Sequence, residues 1–129
     1  MPPHSARFFR LIGEADGLVI SFAEHNGNYT AAYKNLFDWA SRIDAKVFQQ
    51  KPLLALSTSP GKRGGASSLA NAVQSAPFFG AELVASLSVP SFYDAFDVEA
   101  GALKAGELEA KLSEALQAFA TRLSSGSAA

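Results

Sequence analysis

Three short apolar runs, separated by stretches of helical periodicity, constrain the fold of this chain more than any other feature. The runs are 18–22 (LVISF), 52–57 (PLLALS) and 82–89 (ELVASLSV). Nearly continuous apolar runs of this kind are typical of strands that are covered on both faces. The amphipathic segments around them cover about 3–15, 29–42, 66–79 and 107–123. The alternation predicts an α/β fold, with a parallel sheet between two layers of helices.

The composition describes one globular domain. The chain has 129 residues, of which 48% are hydrophobic and 18% are charged, as in ordinary globular proteins. We predict a single domain over residues 1–123 and a disordered tail over 124–129, where the sequence is SSGSAA.

Charge and cysteine content exclude several classes of function. The net charge is −1, with both signs mixed along the chain, so no footprint for nucleic acid or an anionic membrane surface is present. The chain has no cysteine, which excludes disulfides and thiolate catalysis. Neither a signal peptide nor a bilayer-spanning apolar run is evident, and a cytoplasmic location is therefore predicted.

Two polar, glycine-containing loops follow the first two predicted strands. They cover 23–28 and 58–66. In open α/β sheets, ligands bind outside the carboxyl ends of the strands. Glycine, asparagine and serine allow backbone amides to approach a ligand closely. The two loops together predict a binding pocket at this edge of the sheet.

Taken singly, each loop also has a purely structural interpretation. EHNGN fits an Asn-Gly turn followed by a helix N-cap at Asn28 or Thr30. PGKRGG matches neither of the common phosphate-binding glycine motifs and fits a turn that precedes a helix. Its functional alternative is that Lys62 and Arg63 meet an anionic group while the backbone of 61–65 lies against a ring. No metal site is predicted, because the two histidines lack a nearby carboxylate cluster.

Two motifs at a characteristic separation carry a resemblance to a known family. The stretch EADGLVISFAEHNGNYTAAYKNLFDWASR is followed by KPLLALSTSPGKRGG. Together they resemble the NADPH-dependent FMN reductase family, flavodoxin-like flavoproteins that include quinone, azo-dye and chromate reductases. The matching residues are Glu24, Asn26, Gly27, Lys34, Asn35, Asp38, Trp39, Ser57, Ser59, Pro60, Gly61, Gly64 and Gly65. The resemblance runs from about residue 3 to the end of the chain.

The resemblance implies a flavodoxin-like three-layer α/β/α enzyme. It would pass hydride from NADPH or NADH through bound FMN to a quinone, flavin or similar small acceptor, with no side chain acting as a catalytic acid or base. The amides of Asn26 to Asn28 would donate to the isoalloxazine ring, and loop 58–65 would flank it. The implied FMN-binding residues are Glu24, His25, Asn26, Gly27, Asn28, Ser59, Pro60, Gly61, Arg63, Gly64 and Gly65. Segment 29–42 would form a homodimer or homotetramer interface.

The resemblance also places Met1 where the second helix of the family begins. The family's first strand and its loop for the FMN phosphate are therefore expected to have no counterpart, which leaves a partial domain with 18–22 at a sheet edge. Weak or no binding of FMN is expected as a result. Two alternatives stay open at this point: a flavodoxin-like electron carrier, and a non-catalytic remnant or oligomerisation module.

Overall fold

A computed structural model gives the structure of the chain and describes residues 1–126. The helices are α1 (Pro3–Glu14), α2 (Ala31–Ala40), α3 (Ala66–Ser75), α4 (Phe92–Ala95) and α5 (Glu107–Ser124). The strands are β1 (Leu18–Ser21), β2 (Pro52–Thr58), β3 (Glu82–Val89), β4 (Phe96–Asp97) and β5 (Ala102–Leu103). The first three strands form a parallel sheet in the order β1-β2-β3, and β4 pairs with β5 as a separate antiparallel hairpin. The predicted alternation and the parallel sheet are confirmed.

The central strand β2 holds the two halves of the core together. Its side chains alternate between two apolar clusters, as the period of a strand requires. Leu53 and Ala55 belong to the larger cluster, which includes buried residues of α1, α2 and α3. Leu54 belongs to the smaller cluster, together with Ala115 and Phe119 of α5. Helices therefore cover both faces of β2, and each fully buried leucine stabilises the fold by about 1.5–3 kcal/mol.

The first strand, β1, is less covered than the sequence predicts. It pairs with β2 alone among the described residues and forms one edge of the sheet. Leu18 and Ile20 pack on the larger cluster, whereas Val19 is 55% exposed and Ser21 is also exposed. The prediction of a strand covered on both faces is therefore wrong for β1. The reason is that α5 packs mainly on β3 and β2, on the face to which Val19 belongs.

Helix ends differ from the predicted ones where local chemistry decides them. Segment 29–42 yields a shorter helix, because Thr30 is its N-cap and its Oγ1 accepts from the amide of Tyr33 at 3.1 Å. Segment 66–79 becomes α3 followed by a 3-10 turn at Ala76–Phe79. Pro77 lacks the N–H that an α-helix would use there, and Gly80 ends the turn with a left-handed backbone.

The last helix is tied to the sheet by one ion pair. Arg122 donates to both carboxylate oxygens of Glu82, at 2.6 and 2.9 Å, and these hydrogen bonds lower the pKa of the Glu82 carboxyl. The helix reaches Ser124. Residues 127–129 of the predicted tail lie outside the described residues, and the tail stays a prediction. Within 1–126, no helix is both long enough and apolar enough to span a membrane.

Candidate functional site

The loop after β1 forms a tight two-residue turn. His25 and Asn28 exchange backbone hydrogen bonds at 2.8 and 3.2 Å, and Asn26 and Gly27 between them have φ of 54° and 78°. Two successive positive φ values are the signature of a type I′ turn, which favours the Asn-Gly pair. Asn28 uses its amide inside the turn. The amides of Asn26 and Gly27 donate to no acceptor within residues 1–126 and remain available at the exposed tip.

The loop after β2 contains glycines that the packing of the protein itself requires. Gly64 and Gly65 are buried and have left-handed backbones. The carbonyl of Gly64 accepts from the hydroxyls of Ser57 and Ser88 at 2.7 and 2.9 Å. A Cβ on Gly64 would come within 2.8 Å of the amide nitrogen of Pro90. These two glycines therefore fix the loop against the ends of β2 and β3.

Gly61 has a different environment in the same loop. Its φ lies outside the left-handed region, and a Cβ there would meet only Ser59 Oγ, at 3.9 Å. Neither backbone conformation nor packing within the described residues requires glycine at this position. A flat ligand lying against the peptide would require it, because it needs the space that a side chain occupies. The backbone at Gly61 is therefore exposed, and within the described residues no neighbouring side chain fills the space beside it.

Glu24 joins the two loops. Its Oε1 accepts from the amide of Ser68 at 2.7 Å, and Ser68 lies in the first turn of α3. A carboxylate at a helix N-terminus satisfies a free N–H and interacts favourably with the helix dipole. The side chain of Glu24, predicted to contact FMN, is thus engaged within the protein. The Ser68 hydroxyl beside it is fully buried and has no hydrogen-bond partner among residues 1–126.

The remaining predicted residues form the exposed surface of the site. His25, Asn28, Pro60 and Arg63 are exposed, and Ser59 is half-buried. One guanidinium nitrogen of Arg63 donates to Ser67 Oγ at 2.6 Å. Within the described part of the chain, neither Lys62 nor Arg63 forms an ion pair with a carboxylate. The loop after β2 therefore presents two positive charges at the carboxyl edge of the sheet.

A third loop, not singled out from the sequence, completes this edge. It follows β3, and its backbone is bonded to the second loop. The amide of Ser91 donates to the carbonyl of Gly61 at 2.8 Å, and that of Phe92 donates to the carbonyl of Ser59 at 3.0 Å. The rule that ligands bind at carboxyl ends applies to the third strand as well, and that rule could have identified this loop.

Aromatic side chains that precede and follow the first loop pack against one another. Phe22, Tyr29 and Tyr33 lie with ring centroids 5.1 to 5.7 Å apart, around a cavity of about 30 Å³. Burial raises the pKa of both tyrosine hydroxyls above the usual value. The family resemblance implied that segment 29–42 forms a subunit interface, and Tyr33 and Phe37 lie within that segment. Both instead pack on the core of their own chain, whereas Trp39 is exposed.

Comparison with known proteins identifies the family. A sequence profile of NADPH-dependent FMN reductases matches residues 1–94. The chain belongs to this family. Within residues 1–126, no cluster of three or more metal-ligating side chains is present.

Two relatives agree with this assignment, and one solved structure shares the fold. The chain is 32% identical to an NAD(P)H-dependent FMN reductase of Pseudomonas aeruginosa, over 95% of this chain and 68% of that protein. It is 40% identical to a quinone reductase of Escherichia coli, over 43% of this chain and 29% of that protein. Its structure resembles that of FerB, a flavoenzyme NAD(P)H:acceptor oxidoreductase from Paracoccus denitrificans. That match has a TM-score of 0.65 and 24% identity, and covers 95% of this chain and 66% of FerB.

The comparisons also concern the fold of the chain and the share of its relatives' length that it spans. The likeness to FerB confirms the predicted flavodoxin-like α/β fold. The chain spans about two thirds of the length of FerB and of the Pseudomonas reductase. Within residues 1–126, the first element is helix α1 and the first strand is β1 at Leu18–Ser21.

Proposed function

We propose that the chain is an FMN-dependent NAD(P)H oxidoreductase domain that reduces a small-molecule acceptor such as a quinone or a flavin. The observation that carries the proposal is the open backbone at Gly61, at the same end of the sheet as the amides of Asn26 and Gly27, which have no acceptor within residues 1–126. Family membership and the names of the relatives support the same activity. The contacts assigned to individual residues are part of this proposal.

The residues of this chain would bind and orient the cofactor. When bound, FMN accepts a hydride from NADPH or NADH and passes reducing equivalents to the acceptor. The amides of Asn26 and Gly27 would donate to the polar edge of the ring, and the peptide at Gly61 would lie against its face. Fixed N–H dipoles of this kind stabilise negative charge without reorganising. Through its hydrogen bond with the amide of Ser68, Glu24 would fix the position of the first loop relative to α3.

A flavin titration tests the proposal. Purified chain would be added to FMN while the flavin fluorescence is followed, and the same sample would then be assayed for oxidation of NADPH and NADH. We expect saturable binding that Gly61→Val weakens by about tenfold or more, since the new side chain occupies the space of the ring. Ala118→Val, on the exposed side of α5, is the matched control and should bind as wild type does.

Two outcomes would contradict the proposal. One is the absence of saturable FMN binding by a folded chain, and the other is an equal effect of Gly61→Val and Ala118→Val. The sequence resemblance implied weak binding of FMN or none; that expectation stays a prediction, and the same titration decides between absent binding and the saturable binding that the proposal requires. Reduction of bound FMN by a partner protein but not by NADPH or NADH would instead favour the electron-carrier alternative.

Assembly through α2 is a separate part of the proposal. Asn35, Asp38, Trp39 and Arg42 line an open groove of about 180 Å³ on this helix, and Trp39 is 42% exposed. Exposed tryptophan is common at subunit interfaces. We propose a homodimer or homotetramer through this surface. Trp39→Ser should lower the solution mass measured by light scattering, and an unchanged mass would rule the surface out. The cytoplasmic location stays a prediction.

A further inference from the structure

The segment after β3 presents exposed aromatic surface beside the proposed FMN site. Tyr93 is 76% exposed, whereas most large apolar side chains of the chain are buried or half-buried. Phe92, the residue before it, is half-buried. Exposed aromatic rings next to a ligand site are typical of surfaces that bind a ring-shaped partner.

The backbone of this segment is rigidly held. The bonds from Ser91 and Phe92 to the carbonyls of Gly61 and Ser59 tie it to the loop after β2. Ser91 has a left-handed backbone with φ of 49°, which is uncommon for a residue other than glycine. The carbonyl of Ser91 also accepts from the amides of Asp94 and Ala95. An uncommon conformation that several contacts maintain is found most often at functional sites.

The aromatic side chains of this segment pack against one another. Phe92 stacks on Phe96 with centroids 4.9 Å apart and an interplanar angle of 17°. Tyr93 meets Phe92 edge to face, with centroids 5.7 Å apart. Tyr93 is therefore held on one side by Phe92, and most of its surface faces solvent. Because the amide of Phe92 donates to the carbonyl of Ser59, the backbone next to Tyr93 is attached to the loop that contains Gly61.

We propose that Tyr93, supported by Phe92, is a binding surface for the flat ring of a quinone-type electron acceptor. This inference rests on the proposed function, which requires an acceptor to approach the flavin. The choice of occupant follows from chemistry at the site. Stacking on an aromatic side chain favours a flat ring, and the backbone of this segment is hydrogen-bonded to the loop that would hold the flavin. A relative that is named a quinone reductase supports the same class of acceptor.

Direct binding of 1,4-naphthoquinone to the full chain tests the inference. Equilibrium dialysis would be performed with flavin-free chain and again with saturating FMN. We expect Tyr93→Ala to raise the Kd for naphthoquinone by about two- to tenfold, the range that one lost stacking contact gives. Tyr93→Phe retains the ring and should stay within about twofold of wild type. Phe78→Ala is the matched control, because Phe78 is similarly exposed, at 73%. It precedes β3 and so lies at the amino ends of the strands, away from the proposed flavin site.

The outcomes separate this inference from the proposed function. Failure of the proposed function appears as no FMN binding in the flavin titration, whereas naphthoquinone binding to the flavin-free chain does not depend on that result. Equal Kd values for wild type and Tyr93→Ala would overturn the inference, and so would an equal loss in Phe78→Ala. A lower solution mass for Tyr93→Ala would also overturn it, by assigning the ring to contact with a second copy.

A kinetic comparison gives a second readout if FMN is bound. With NADPH as donor, Tyr93→Ala should raise KM for naphthoquinone by the same factor and leave KM for ferricyanide, which has no ring to stack, unchanged. A rise for both acceptors would show that the substitution disturbs the flavin site itself and would refute a specific acceptor contact. Because Tyr93 is largely exposed, thermal unfolding of the variant should match that of wild type.

Discussion

The loops after β1 and β2 are both rich in glycine and polar residues, but their glycines have different structural roles. Gly27 lies in open space, and only its positive φ requires glycine. Gly64 also has positive φ, but its surroundings leave no room for a side chain. Gly61 has neither constraint within the described residues. The same residue type therefore reflects turn geometry at Gly27 and close packing at Gly64, and under the proposed function it reflects access of the flavin at Gly61.

The largest expected difference between the loops is in stability. Gly64→Ala should lower the free energy of unfolding by about 2–5 kcal/mol, because it adds left-handed strain to a clash with Ser88 and Pro90. Gly27→Ala has the strain without the clash and should cost about 1 kcal/mol. Urea unfolding followed by circular dichroism measures both values.

Equal costs for the two substitutions would show that the loop after β2 can relax around a new methyl group. In that case Gly64 would not fix the loop against β3. The Ser57 and Ser88 hydrogen bonds to the Gly64 carbonyl give a second check. Ser57→Ala should be destabilising in its own right, by about 1 kcal/mol, if the loop is held as the structure shows.

The bond between the loops should have the next largest effect. Glu24→Ala removes a charged acceptor from the amide of Ser68 and should lower the free energy of unfolding by about 1.5–3 kcal/mol. Glu24→Gln retains a neutral acceptor and should recover about half of that loss. Glu114→Ala, at an exposed position of α5, is the control and should change little. Equal unfolding midpoints for the Glu24 and Glu114 variants would mean that the two loops are not coupled through this carboxylate.

The sequence predicted those parts of the molecule in which one pattern has one physical cause. The run 52–57 became a strand that is covered on both faces, because a central parallel strand has no other way to bury its side chains. The Asn-Gly pair formed its turn because few other residues tolerate two positive φ values. The rule that loops at the carboxyl ends of neighbouring parallel strands lie together also identified the end of the sheet at which Glu24 joins the two loops.

Other features depend on tertiary neighbours that no local pattern specifies. The run 18–22 resembles 52–57 in composition, yet Val19 is exposed because of where α5 lies. The aromatic residues of 29–42 do not show in sequence which partners they meet, whereas in the structure Tyr33 and Phe37 contact the rings of Phe22, Phe48 and Phe79 across the core. The partner of Glu24 is 44 residues away along the chain. The role of that carboxylate could therefore not be read from the motif.

The tip of the first loop offers a smaller test of its geometry. Asn26 has φ of 54°, a conformation that asparagine tolerates and alanine does not. Asn26→Ala should cost about 1 kcal/mol of unfolding free energy, while Asn26→Gly should stay within about 0.5 kcal/mol of wild type. Urea denaturation resolves this difference. If alanine were tolerated as well as glycine, the turn would not require two positive φ values.

The smallest expected effect comes from the positive charges of the second loop, and it is an effect on nucleotide binding. Lys62 and Arg63 are exposed on the second loop, and under the proposed function they would meet the 2′-phosphate that distinguishes NADPH from NADH. The double variant Lys62→Ala, Arg63→Ala should raise KM for NADPH by about two- to fivefold, since exposed ion pairs contribute about 0.2–1 kcal/mol. KM for NADH should not change. Lys111→Ala, which removes an exposed lysine of α5, is the control. An equal rise of KM for NADPH and NADH would show that Lys62 and Arg63 attract anions in general. The second loop would then not distinguish NADPH from NADH by its 2′-phosphate.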